Sequence, residues 1–162
     1  MPIPAEKDAC DLLDADHIAV KHLFVDYARL ANGSPNTGPD ADKLSLARKI
    51  CKELTVHATI EEELFYPAAR EAEVEADLLD EAEVEHASAK ALIAQIEAMD
   101  PDDDLYDAKV TVLGEYIDHH VQEEEGEMFP KCRKAGMDLA ALAEQLAERK
   151  AELMEEGEGQ PA

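Results

Sequence analysis

Apolar residues recur along this chain at steps of three, four and seven, the period of helices that bury one face. From about Ala9 to Ala31, one stripe holds Leu13, Val20, Phe24 and Tyr27. From Asp42 to Ala69 it holds Ile50, Leu54, Leu64, Phe65 and Ala68. From Val74 to Met99 it holds Leu79, Ala82, Ala89, Ile93 and Ile96. From Asp103 to Lys134 it holds Leu113, Tyr116, Ile117 and Met128. Turn-forming clusters separate these segments: the Gly/Pro-rich stretch from Asn32 to Asp40, a weak break from Arg70 to Ala76, Asp100-Pro101-Asp102-Asp103, and Ala135-Gly136-Met137-Asp138. A further short helix, about Leu139 to Leu153, is expected on the outside. The pattern predicts an all-α, up-down-up-down four-helix bundle with a short extra C-terminal helix. The bundle is expected to span residues 1–153, with 154–162 as a mobile acidic tail.

Composition sharpens this picture without changing it. Of 162 residues, 39 are acidic and 15 are Lys or Arg, a formal charge of −24. That charge repels DNA, RNA and anionic lipid, so neither nucleic acid nor membrane is expected as a partner. An apolar content of 46% argues against disorder. The first residues lack a secretion-signal pattern, and the three cysteines (Cys10, Cys51, Cys132) are odd in number and widely spaced. Both features fit a cytoplasmic protein.

The informative residues are polar ones on the apolar stripes. His57-Ala58-Thr59-Ile60-Glu61 and His120-Val121-Gln122-Glu123-Glu124 each set a Glu four residues after a His, on the same helix face. A Pro follows each His by ten residues, at Pro67 and Pro130. The other two helices carry a second matched pair, Asp16-His17 and Glu85-His86, on the stripes of Leu13 and Val20 and of Leu79 and Ala89. The chain therefore reads as two copies of a helix pair. His22 and His119 fall off these stripes and are expected outside the site.

A single histidine on an apolar face is ordinarily a hydrogen-bonded core residue. Packing is a poor account of four inward histidines joined by two inward glutamates, because an unpaired buried carboxylate is costly. The six residues His17, His57, Glu61, His86, His120 and Glu124 read instead as a shared metal site. Imidazole with carboxylate suits a first-row transition ion, not magnesium or calcium. Six ligands exceed one tetrahedral zinc, so two ions fit better, most simply redox-active iron. The runner-up is the ferritin-like carboxylate arrangement, which the His-x-x-x-Glu steps break. Glu83 and Asp14 are expected to orient ligand histidines from behind. The other acids of the runs Glu61-Glu62-Glu63 and Glu123-Glu124-Glu125 are expected in solvent.

These motifs, with Phe65-Tyr66-Pro67 and Phe129-Pro130, resemble the hemerythrin-like domains, also called HHE cation-binding domains. The resemblance spans roughly residues 10 to 134. It implies a bundle holding two non-haem iron ions, bridged by carboxylate and an oxo or hydroxo group, with the six residues above as ligands. Oxygen-carrying hemerythrins have a fifth His one turn after the third-helix ligand, where this chain has Lys90; the first-helix counterpart is Lys21. Their His-x-x-x-x-Asp is here His-x-x-x-Glu. The resemblance therefore implies binding or sensing of oxygen, nitric oxide or peroxide, not oxygen carriage. A peroxide-decomposing enzyme or an iron-binding store is the alternative. The expected partner is a small oxidant or gas; no protein partner is indicated. Tyr27 and Tyr116 are candidates to hydrogen-bond a bound oxidant, and Cys51 and Cys132 are candidates for redox chemistry.

Overall fold

The computed structural model describes residues 7–32 and 40–159. The element order is α1 (Ala9–Asn32), α2 (Asp40–Ile60), π1 (Glu61–Phe65), α3 (Tyr66–Glu71), α4 (Ala76–Glu97), α5 (Tyr106–Glu123), π2 (Glu124–Met128), α6 (Phe129–Lys134) and α7 (Leu139–Gly159). Among the described residues there is no strand. The π1 and π2 stretches are wide helical turns inside two longer helices, so α2–π1–α3 and α5–π2–α6 each run as one rod. The four rods predicted from periodicity are thus present. Most of the predicted Asn32–Asp40 loop lies outside the described residues. The last helix continues past Leu153 to Gly159, so Met154 to Gly159 are helical and not a structureless tail.

The buried apolar residues form two clusters. One contains Leu13, Ile60, Phe65, Leu79, Met128 and Leu146. The other contains Val20, Ile50, Leu54, Ile93, Leu113 and Tyr106. Following the chain, α1 and α4 run from the first cluster to the second, and α2 and α5 return. That alternation is the up-down-up-down order. Between the clusters lies a layer of buried polar side chains, His17, His57, Glu61, His86, His120 and Glu124. α7 packs across α1, α2 and π1, adding Leu139, Leu142 and Leu146 to the first cluster.

The wide turns follow from proline. Pro67 and Pro130 lack an N–H, and each ring would collide with the carbonyl four residues back in a regular α-helix. One extra residue per turn relieves the collision: the Tyr66 N–H bonds Glu61 O and the Phe129 N–H bonds Glu124 O, both five residues back. The two halves also stop alike. Glu73 (φ 65°) and Gly136 (φ 76°) are left-handed, and they stand 63 residues apart, the step that separates His57 from His120. Gly136 adopts this angle freely, whereas Glu73 is strained.

Candidate metal centre

All six sequence-predicted residues meet in one layer. Glu61 is 0% exposed and Glu124 1% exposed, and the four histidines are buried. Each histidine reaches inward through Nε2. His57 Nε2 lies 3.3 Å from Glu61 Oε2, and His86 Nε2 lies 3.0 Å from Glu61 Oε1. His17 Nε2 lies 3.2 Å from Glu124 Oε1, and His120 Nε2 lies 3.2 Å from Glu124 Oε2. Each carboxylate therefore faces one histidine from each half of the chain. The Nε2 atoms also approach in pairs, 3.2 Å for His17 and His57 and 3.3 Å for His86 and His120.

The outward ring nitrogens explain this orientation. His57 Nδ1 is 3.0 Å from Asp16, His86 Nδ1 is 2.7 Å from Glu62, His120 Nδ1 is 2.6 Å from Glu85, and His17 Nδ1 is 2.9 Å from Glu125. A carboxylate accepts only, so each Nδ1 donates its N–H and a neutral ring leaves a lone pair on Nε2. Four inward lone pairs and two carboxylates then form a layer made almost entirely of acceptors. Among the described residues, Glu61 Oε2 and Glu124 Oε1 are buried without a hydrogen-bond partner. Such a set is satisfied by cations, and the donors fit a first-row metal. Two groups with metal-binding spacing consist wholly of buried residues of this layer: His17, His57, Glu61 and Glu124, and Glu61, His86 and His120.

Without a metal, protons fill this role. Burial disfavours a charged His57 ring, but the Glu61 and Asp16 carboxylates outweigh it and push its pKa up to about 10. His120 is pushed to about 12 against the same burial, chiefly by Glu124. Glu61 is held well below its usual range, with its burial outweighed by His57, His120 and His86. A raised histidine pKa contributes stability that is complete below the unfolded value near 6.5 and lost as pH rises through the folded value. The metal-free protein is therefore expected to lose thermal stability from about pH 6.5 to 10 as His57 deprotonates. Metal displaces the same protons, so metal affinity is expected to rise across that window. Calorimetric melts of metal-free protein, with chelator-competition titrations at several pH values, check both signs.

The structure corrects several expectations about neighbouring residues. Glu62 and Glu125 are not simply solvated; each holds the Nδ1 of a histidine. The residues behind His57 and His120 are Asp16 and Glu85, not Asp14 and Glu83, and Glu83 instead faces Arg70 at 3.6 Å. Asp14 stands beside Glu125 at the rim. Tyr27 lies in the far apolar cluster and donates to Asp107 at 2.7 Å. Tyr116 is 49% exposed yet lines the space beside His57, His86 and His120, whereas His22 and His119 are exposed, as expected of residues outside the site. Cys51 and Cys132 are buried, and burial pushes both thiols up to about 12, which leaves them inert as thiolates.

The residue that periodicity misses is Tyr66. Its hydroxyl donates to Glu124 Oε2 at 2.5 Å and lies 3.1 Å from Glu61 Oε1, with His86 and His120 Nε2 at 3.2 and 3.3 Å. In an α-helix Tyr66 would point about 140° away from Glu61. The π1 turn brings the fifth residue back over the first. The sequence signal is the proline register, since Pro67 and Pro130 mark where the period changes. The second half places Phe129 at this position, its ring parallel to His17 at 6.1 Å. The centre is thus two-fold in its ligands and one-sided in its hydroxyl. Tyr66→Phe is expected to weaken metal binding about 10- to 100-fold, the range for groups that hydrogen-bond ligands. Tyr27→Phe, away from the site, is expected to leave it unchanged; chelator competition compares the two.

Comparison with known proteins agrees with this geometry. A family model described as the hemerythrin HHE cation-binding domain matches residues 8–132. The crystal structure of a hemerythrin HHE cation-binding domain-containing protein from Mycobacterium kansasii has a TM-score of 0.72 at 22% identity, covering 91% of this chain and 87% of that one. A protein of Nostoc sp. named DNA nickase is 31% identical over 124 residues, which are 76% of this chain and 33% of that protein. The chain therefore spans about a third of that relative's length.

Proposed function

This chain belongs to the hemerythrin HHE cation-binding domain family, and we propose on that premise that it is a non-haem di-iron protein that binds or senses oxygen, nitric oxide or peroxide. The observation that carries this reading is the acceptor layer divided into two groups, each with two histidines, with both glutamates facing both groups. His17 and His57 would hold one ion, His86 and His120 the other, and Glu61 and Glu124 would span them. An iron pair bound there would supply electron exchange with a small oxidant. Six protein ligands over two ions leave positions free for one.

The remaining roles belong to the chain itself. Asp16, Glu62, Glu85 and Glu125 fix the ring orientations. Tyr66 keeps a proton on its hydroxyl above Glu124, because burial and then the two glutamates raise its pKa well above the usual value. A cavity of about 30 Å³ lies beside His57, His86 and His120, walled by Val20, Leu54 and Ile93. That space suits a molecule of two or three atoms and limits water. A wider groove of about 410 Å³ between α1 and α5 shares His17, Val20, Ile117 and Val121 with it and gives a route from the surface.

The test is metal quantification with an absorption spectrum of the purified protein, followed by rapid mixing with oxygen, nitric oxide and peroxide. About two iron ions per chain and a spectral change with one of these ligands are expected. Purified protein that takes up no iron would refute the reading. Sustained peroxide consumption would replace the sensor reading with the enzymatic one. The activity in the Nostoc relative's name is not carried over, since a charge of −24 repels a polyanion. No described helix is long and apolar enough to cross a membrane.

A further inference from the structure

Two of the four carboxylates behind the histidines are shared with a lysine. Asp16 gives one oxygen to His57 Nδ1 at 3.0 Å and the other to Lys150 Nζ at 2.5 Å. Glu62 gives one oxygen to His86 Nδ1 at 2.7 Å and the other to Lys90 Nζ at 2.6 Å. Glu85 and Glu125 have no such partner: among the described residues, no Lys or Arg pairs with either. Glu85 instead has His119 at 3.7 Å, and Glu125 stands beside Asp14. Each half of the ligand layer therefore contains one histidine backed by a neutralised carboxylate and one backed by a carboxylate without a lysine. Lys150 arrives on α7, whose neighbouring Arg149 grips Glu63 at 2.9 Å, so α7 is fastened to α1 through Asp16 and to π1 through Glu63.

We propose that Lys150 and Lys90 are positioning residues that set how strongly His57 and His86 donate to bound metal, acting through Asp16 and Glu62. A carboxylate accepting from Nδ1–H pulls that proton and makes Nε2 a stronger donor. An ammonium on the other oxygen draws charge away and weakens the pull. Losing the lysine strengthens donation, which favours the more highly charged, oxidised metal. The potential of the centre therefore falls. Both lysines are partly exposed, with side-chain exposures of 37% and 49%, so truncation opens no core cavity. The sign for the potential rests on the iron reading above; the strengthening of the Nδ1–H bond does not.

The experiment compares Lys150→Ala, Lys150→Arg, Lys90→Ala and Lys90→Arg with the parent protein, all with measured metal content. The alanine variants are expected to shift the oxidised-to-reduced ratio at fixed potential by roughly tenfold toward oxidised, about 59 mV for a one-electron couple. The arginine variants should stay near the parent. Equal potentials in all five proteins overturn the proposal. If the purified protein holds no redox metal, the iron reading fails by itself. The relay is then read by NMR on the same proteins loaded with Zn²⁺. The His57 Nδ1–H resonance should move downfield in Lys150→Ala alone, and that of His86 in Lys90→Ala alone. Resonances that do not move, or that move together in every variant, overturn it.

Discussion

Glu61→Gln is expected to abolish tight metal binding to the whole centre, not to half of it. Glu61 belongs to both buried groups with metal-binding spacing, and its oxygens stand 3.3 Å from His57 Nε2 and 3.0 Å from His86 Nε2. Gln keeps the shape, but it removes the charge and places N–H groups where lone pairs are needed. The loss should be at least about 100-fold in affinity, beyond the range seen for groups that only orient ligands. The melting temperature of the variant should also stop responding to added metal, because ligand-linked stabilisation requires binding. Titration with a competing chelator and melts with and without metal measure both. Glu124→Gln should behave alike, since Glu124 faces His17 and His120 in the same way. His22→Ala, on an exposed face, is the control. A Glu61→Gln protein that binds metal as the parent does would end the claim that one carboxylate joins the two groups.

Phe65→Ala carries the largest expected cost in fold stability. Phe65 is 0% exposed and closes π1. Its ring meets Phe129 edge-on at 5.6 Å and Tyr66 at 6.0 Å. Removing it takes away buried ring surface and leaves a cavity under the metal layer, where two rods and α7 hold their positions. Phe-to-Ala losses of this kind run about 3–5 kcal/mol. For a chain of this size that lowers the melting temperature by roughly 6–20 °C. Metal affinity should fall as well, because Tyr66 loses the neighbour that sets its ring. Val84→Ala, at a side chain 67% exposed, should stay within about 0.5 kcal/mol. A Phe65→Ala melt within about 3 °C of the parent would show that the layer is not supported from below.

Much of this molecule is readable without coordinates, for a definite reason. A polar residue on an apolar stripe is conspicuous because burying it is costly, and the stripe itself fixes its direction. His17 between Leu13 and Val20, and His86 between Ala82 and Ala89, are visible in that way. The Glu at the fourth position after His57 and His120 follows from one helical turn. The same rule fails where the turn widens. Tyr66 is invisible to a 3.6-residue period because π1 adds a residue, although Pro67 marks the spot. It fails again for charged residues on the outer faces, which look equally solvated in sequence. Glu62 and Glu125 become distinct, and Asp16 and Glu85 acquire their roles behind His57 and His120, only when a ring from another helix arrives beside each.

The sequence by itself determined the four rods, their alternating direction, the two-fold repeat and the six inward polar residues. All of these rest on local helical geometry and on the cost of burying polar groups, which act within one helix at a time. The tertiary structure alone decided which carboxylate backs which histidine, where the hydroxyl of Tyr66 sits and that α7 brings Lys150 to Asp16. The carboxylate pairings join residues 24 to 134 positions apart, and Tyr66 reaches Glu124 across 58. They depend on how rods lie against one another, and no period along the chain records that.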